Sequence, residues 1–445
     1  MDKKLLFKIA AICFMSLLLL VPLALIQGQI RDRAQRQNEV QASIANSAAG
    51  PQVLVGPVIA LHYRERVEVT IPEGEQGAAG KTRTQIVERT VMLPPEKLTM
   101  TGDTAVETRN KGIYQARLFR LDLAASGHFI VGPLPEAPGG GRIVDANAEL
   151  LLGIADPRGV NNDPEVTING KSRRFGSPGA KGKGEQEAGV KRLRIDLGPL
   201  DVQRENRFDF AFPLQLTGTT RLAIAPTGES NHIALKSAWP HPNFGGRFLP
   251  TVRSVSKEGF AAQWEISHLA RNFEATLNPA RGELLSIDFI DPVNVYLQSE
   301  RAVKYGVLFI VLTFAGFFLT EILRRSPIHP MQYLLVGLAL AIFFLLLIAF
   351  SEHLPFYAAY GLAAAACIGL IATYLSGALG GLRPGLAFGA GLTGLYGVLY
   401  GVLLSEDNSL LMGSVLLFLA LGTTMLATRK LNWYGLGSQT TERAE

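Results

Sequence analysis

The side chains best suited to chemistry sit at the ends of apolar runs rather than within them. Glu352-His353 closes the run Tyr333–Phe350, and Glu406-Asp407 follows the run Leu386–Leu404. On one membrane face, three carboxylates and an imidazole could carry general acid–base chemistry. Simple solvation accounts for the same four residues, because an ionisable group costs little at a span end and much at mid-span. His329, on the other side of the Tyr333–Phe350 run, would lie about 36 Å from His353 along a continuous helix, so the two cannot share a site.

Trp239-Pro240-His241-Pro242 is the most unusual polar string. Its prolines stiffen the backbone and fix the direction of the indole and the imidazole. It reads as a docking surface or as a rigid strand exit. His62, His128, His232 and His268 show no metal-ligand spacing, with each other or with His241, and no thiol lies near them in the chain. Gly170-Lys171-Ser172 ends like a phosphate-binding loop, but Glu165 stands where the first glycine is required. No G-x-S-x-G elbow, His-Glu-x-x-His string or S-x-x-K set organises a nucleophile. The expectation is a non-enzyme with no cofactor and no metal.

The elements that must hold these residues follow from how apolar residues are spread. The chain has 445 residues, 48% of them apolar, and a net charge of +5. Residues 8–27 and 303–428 are nearly free of charge, whereas 28–302 are polar and rich in turn formers. That division excludes a single soluble domain, and two cysteines, Cys13 and Cys367, both in apolar stretches, exclude a disulfide scaffold. The first span is Ile9–Ile26, about 27 Å long as a helix, preceded by Lys3, Lys4 and Lys8. It outruns the ~7–15 apolar residues of a cleaved signal and lacks a small-x-small site, so it reads as an uncleaved anchor. Five more runs follow: Tyr305–Thr320 (extending to Leu323), Tyr333–Phe350, Tyr357–Leu375, Leu386–Leu404 and Leu410–Ala427.

Cations mark the cytoplasmic loops. Lys3, Lys4 and Lys8, then Arg324 and Arg325, then Arg383, then Arg429 and Lys430 fall on one side, while 351–356 and 405–409 carry none. Both termini are therefore expected in the cytoplasm and the insert outside. No ionisable residue is expected at mid-span, which argues against an ion-coupled transporter. Gly385, Gly389, Gly397 and Gly401 form two G-x-x-x-G pairs, suited to close helix contact within the chain or between protomers.

Residues 28–304 hold 34 of the 43 cationic and 31 of the 38 anionic side chains, close to balance and unlike a nucleic-acid binder. Lys191, Arg192 and Arg194 alternate with Leu193 and Ile195, as on the wet side of a strand. Residues 28–50 predict a helical extension of the anchor ending at Gly50-Pro51. Beyond it, Val53–Tyr63, Arg64–Ile71, Thr84–Leu93, Ile113–Leu123, Val190–Leu197, Phe208–Leu216, Arg221–Ala225 and Ile233–Trp239 read as strands. Val166–Ser172 reads as a hairpin, with Asn169-Gly170 supplying a type I′ turn. Flexible loops are expected at Glu73–Gly80, Pro135–Gly141 and Gly176–Gly189. The pattern predicts an all-β sandwich or barrel-like domain, in one lobe or two.

Several strings resemble the CreD family. They are His329-Pro-Met-Gln-Tyr-Leu-Leu-Val-Gly337, Ser351-Glu352-His353, Glu406-Asp407 with Gly413-Ser414, and Arg429-Lys430-Leu-Asn-Trp433-Tyr434. In the insert they are Ser47-Ala-Ala-Gly50-Pro51-Gln52, Gly56-Pro57, Trp239–Pro242 and Phe248-Leu249-Pro250. The likeness runs from the first span to Tyr434. Departures are His62, where proline is common, and Asn408-Ser409 after the acidic pair. The resemblance implies a Gram-negative inner-membrane protein associated with the CreBC two-component system, colicin tolerance and β-lactam responses. It transfers no catalytic residue.

The combined expectation is an α-helical integral membrane protein with six transmembrane helices and a large all-β periplasmic domain between helices 1 and 2. Its parts are 1–27, the N-terminus and anchor; 28–302, the periplasmic domain; 303–428, a five-helix bundle; and 429–445, a cytoplasmic tail. The expected function is support of envelope integrity or stress response, with the bilayer and another envelope protein, lipid or glycan as partners. The alternative is a lipid or small-solute transporter with a periplasmic funnel. An enzyme using Glu352, His353, Glu406 and Asp407 ranks last.

Overall fold

The computed structural model describes residues 3–71, 81–134, 141–176, 189–289, 294–324, 328–404 and 409–429. The chain divides into two compact units, Met1–Asn38 with Val293–Glu445, and Glu39–Pro292. The three loops expected to be flexible fall almost wholly outside the described residues.

Helix α1 spans Lys3–Leu18 and α2 spans Leu20–Ser47. Leu19 separates them because Pro22 has no N–H to offer the Leu18 carbonyl and its ring crowds that oxygen. In the second unit α2 gives way to strand β1, Gln52–Ile71.

One sheet runs β12 (Pro242–Gly246), β15 (Leu285–Phe289), β10 (Arg221–Ala225), β1, β5 (Arg142–Ile154) and β8 (Lys191–Pro199), with β2 (Lys81–Leu93) also on β1. The other runs β13 (Val252–Ser256), β14 (Gly259–Ser267), β11 (Ser230–Ser237), β3 (Lys97–Lys111), β4 (Tyr114–Val131), β9 (Asn206–Thr219), β6 (Glu165–Ile168) and β7 (Lys171–Arg174). A single-turn helix α3, Phe273–Thr276, precedes β15.

Side chains alternate along these strands: in β14, Phe260, Ala262, Trp264 and Ile266 are buried while their neighbours face water. Leu54, Ile59, Leu150 and Leu152 of one sheet share a core with Phe119, Leu121, Phe210, Leu214 and Trp264 of the other. The unit is therefore a β-sandwich with one core, rather than a barrel or two lobes. Leu193 and Ile195 are buried and Lys191 is exposed, which places the basic run on the wet side of β8. The Asn169-Gly170 hairpin forms with φ of 50° and 78°.

Strand β1 changes partner along one edge. Gln52–Val55 pair with β10 in parallel, Ile59–Ile71 pair with β2 antiparallel, and Gly56-Pro57 lie at the hand-over. Proline lacks the N–H a ladder would use, so it belongs at such a break. Gly56 has φ +114°, and a Cβ there would meet the Leu151 carbonyl oxygen at 2.9 Å.

In the helical unit, α4 (Val295–Lys304) and α5 (Gly306–Arg324) are followed by α6 (Pro330–Ser351), α7 (Phe356–Ala378), α8 (Leu382–Leu404) and α9 (Ser409–Thr428). Among the described residues four helices are long and apolar enough to cross a membrane: Phe7–Ser47, Pro330–Ser351, Phe356–Ala378 and Leu382–Leu404. Val295–Lys304 and Gly306–Ile322, bent by 44°, make a fifth if they count as one span.

Candidate functional site

Glu321 lies in the last turns of α5 with 9% of its surface exposed. A lone buried carboxylate would be costly, so its partners matter. Lys8 of α1 forms an ion pair with Oε1. The Tyr333 hydroxyl donates to Oε2 at 3.0 Å and the Ile328 N–H donates to Oε1 at 3.2 Å. The string that follows Ile328 builds this knot. His329 caps α6, its Nδ1 accepting from the Met331 N–H, while Gln332 Oε1 accepts from the His329 N–H. The two bonds make a capping box, with Pro330 in the first helical position where its missing N–H is harmless. Tyr333 is then held between Phe314 and Phe317, ring centroids 5.5 and 4.6 Å away.

Sequence reasoning passed over this group because Glu321 falls in the extension of the run Tyr305–Thr320 to Leu323, neither at mid-span nor in a loop. The usable signal was a lone acid inside the run Tyr305–Leu323, with a lysine at the matching end of the first span.

At the other end of the same bundle, Glu352 is the C-cap of α6. Arg33 Nη1 stands 3.5 Å from its Oε1 and the Tyr296 hydroxyl donates to it at 3.4 Å. Arg31 and Lys304 each stand 3.7 Å from Glu300. His353 is exposed. Glu406 and Asp407 lie outside the described residues, so of the expected four only Glu352 and His353 are placed, and Glu352 faces a guanidinium and a phenol.

The glycine pairs differ. A Cβ at Gly385 would press on Ser376 and the Ala372 carbonyl of α7, and one at Gly389 would meet Ala372 Cβ at 3.1 Å. At Gly397 a Cβ would meet nothing within 4 Å. The first pair therefore serves contact with α7 inside the chain. Gly401 is half-buried.

In the sandwich, the string ending at Gln52 forms a second knot. Gln52 is fully buried; its amide donates to the carbonyls of Asp156 and Thr217 at 3.0 and 2.9 Å and accepts from the Asp156 N–H at 3.2 Å. The Gly50 N–H donates to Asp156 Oδ2 at 3.0 Å, and Arg158 bridges Asp156 to the Asn46 carbonyl at 2.6 Å. The Arg158 guanidinium, helped by these N–H donors and opposed by burial, holds the Asp156 carboxyl down at about 2.

Trp239–Pro242 joins β11 of one sheet to β12 of the other. Trp239 packs against the core, donates from Nε1 to the His241 carbonyl at 3.0 Å, and carries Arg117 over its ring at 4.9 Å. That geometry supports the strand-exit reading; His241 itself is exposed.

His62 Nδ1 lies 2.8 Å from Thr90 Oγ1, with Glu149 3.6 Å from its Nε2. This Thr–His–Glu row has the order of a nucleophile, base and orienting acid. It lies where β1 is paired on both edges, so the ladders consume the backbone N–H groups that an oxyanion would need. His232 pairs with Glu265 and His268 with Glu229. Among the described residues no three His, Cys, Asp or Glu side chains converge as a metal site.

A family model described as "Inner membrane protein CreD" matches residues 4–434. The chain belongs to the CreD family. Within that family it is 36% identical over 426 residues to Inner membrane protein CreD of Escherichia coli (strain K12), covering 94% of this chain and 91% of that protein. The chain is thus a multi-pass helical protein of the inner membrane, and the CreD-like strings that end at Gln52 and begin at His329 contribute to the two knots. Among solved structures, similarity reaches a putative nutrient binding protein from Legionella pneumophila (TM-score 0.23, 7% identity, 48% of this chain and 74% of that one). It also reaches an M1 zinc metallopeptidase from Deinococcus radiodurans (TM-score 0.20, 8% identity, 44% and 42%).

Proposed function

We propose that this CreD-family chain is a non-enzymatic support of envelope integrity, whose sandwich lies in the periplasm and engages another envelope component. Six helices hold it, both termini are cytoplasmic, and residues 28–302 face outward. The observation that carries this reading is a large sandwich with a single shared core, inserted between apolar helices of an inner-membrane protein. The one-sided distribution of loop cations supports the orientation. The chemistry of the knots agrees, since Glu321 and Gln52 bind protein groups and position elements. The test is crosslinking in intact cells from a photoreactive residue at His241, in the full-length chain. Recovery of an envelope protein, lipid or glycan supports the reading, and recovery of soluble cytoplasmic proteins alone overturns it.

A lipid or small-solute transporter is the second reading. It is favoured by the 44° bend between Val295–Lys304 and Gly306–Ile322, because broken helices line the sites of many transporters. Substrate movement in reconstituted vesicles that stops when the bend is straightened would establish it. An enzyme built on Glu352, His353, Glu406 and Asp407 predicts loss of the envelope phenotype when all four become alanine.

A further inference from the structure

The outer face of the eight-stranded sheet carries two adjoining depressions that no role described above uses. One, of about 570 Å³, lies over β14, β11, β3, β4 and β9; the other, of about 460 Å³, extends it toward β13 and shares Asp103 and Lys236. Strand register explains their shape. Ser254, Ala261, Lys236, Asp103, Asp122 and Gln215 are successive cross-strand partners, so they form one row running across six strands. At about 4.8 Å per strand that row is roughly 24 Å long. Beside it runs a second row in which Gln263, Ala234, Thr101, Ala124 and Pro213 are partners. The floor is small and flat, and polar groups recur along its length.

The charges are unevenly matched. Asp103 and Asp122 stand directly opposite each other, an arrangement that disfavours the sheet. Lys236 pairs with Asp103 at 3.2 Å, while Asp122 makes no ion pair among the described residues. An anionic ligand would be repelled. A peptide would ordinarily add to an edge strand, but β14, β11, β3 and β4 under this groove are already paired on both sides, and the open edge lies at its rim on β13.

We propose that this face is a groove for an extended, uncharged glycan. The claim rests on the reading that the sandwich engages an envelope component, and it names that component's chemistry. A carboxylate accepts from neighbouring hydroxyls of one sugar, Gln215 and Gln263 both donate and accept, and Ser254 and Thr101 add hydroxyls. Ala124, Ala234, Ala261 and Pro213 offer methyl and methylene groups to the C–H face of a ring. The strand spacing is close to the repeat of a β-linked pyranose chain, so successive sugars would meet successive strands. With no aromatic platform in the groove, binding is spread along the chain and strengthens with its length.

The test uses full-length protein in nanodiscs and calorimetric titration with the uncharged oligomers chitotriose and chitohexaose. The hexamer should bind about tenfold tighter than the trimer. Asp122→Ala and Ala124→Trp, both at exposed positions, should each weaken hexamer binding about tenfold or more, while His62→Ala on the other sheet leaves it unchanged. An unaltered unfolding temperature in each variant shows that folding is intact. No binding by either oligomer, or binding indifferent to both groove variants, overturns the proposal. So does decalysine binding that depends on Asp122 in the absence of glycan binding, which would assign the groove to a cationic polypeptide. The two readings fail separately. If Ala124→Trp abolishes glycan binding and cells keep full envelope tolerance, the groove stands and the integrity role falls. If crosslinking from His241 to an envelope component persists but no glycan binds, the reverse holds.

Discussion

Lys8 and Glu321 are 313 positions apart in sequence, yet their ion pair joins the first helix to α5. Removing one partner leaves the other charge stranded in an apolar setting, a change that typically costs about 3–5 kcal/mol. Glu321→Leu should therefore lower the unfolding temperature of the detergent-solubilised protein sharply. Lys8→Met with Glu321→Leu should restore much of the loss, as a double-mutant cycle would show. At Asp156 the expectation concerns acid. Its carboxyl is held at about 2, below the ordinary 3.8, so the stabilisation is present above about pH 4 and is lost as the pH falls through about 2. Asp156→Asn should be less stable than the parent by about 1–2 kcal/mol at pH 6, with the gap closing toward pH 2 in an acid titration followed by near-ultraviolet circular dichroism. The strings around these residues were legible in the sequence, but their partners were not. No local pattern ties His329–Tyr333 to Lys8, or Gln52 to the Thr217 carbonyl, because both links depend on long-range packing.

Elements were more legible than sites, and for a physical reason: alternation and apolar length are local properties. The Asn169-Gly170 turn, the run Arg221–Ala225 and the helix beginning after His329 all follow from neighbours in sequence. Sheet order does not. Nothing near β3 announces β11 as its parallel neighbour, or near β1 that β10 and β2 would share one edge. The break at Leu19 could have been read from Pro22. The bend before Gly306 carries no such marker; there a Cβ would crowd Leu23 and Phe344 at 3.1 and 3.2 Å. The two glycine pairs of α8 give the test at this scale. Gly385→Leu should force α7 and α8 apart and lower the unfolding temperature, whereas Gly397→Leu, with open space around it, should leave the temperature within a few degrees of the parent.

For the whole molecule, orientation was argued from where lysine and arginine stand, a property that needs no contact information. Alkaline phosphatase inserted at position 150 or at Leu354 should be active, and the same enzyme fused after Arg429 should be silent. Green fluorescent protein at the same positions should give the converse pattern, and phosphatase activity after Arg429 with none at 150 or Leu354 would reverse the topology. The strand order also bears on how the protein is made. Sheet neighbours β1 and β15 are both bound to β10, so the first sheet needs residues from Gln52 to Phe289 before it can close. Contacts between such distant segments form slowly. While a ribosome is still producing the middle of the chain, the leading helix is already available to the bilayer, and the half-made sandwich has unpaired edges and open apolar faces. Its maturation should therefore depend on chaperones that shield nascent strands, and truncations ending before Leu285 should be cleared by proteolysis rather than accumulate.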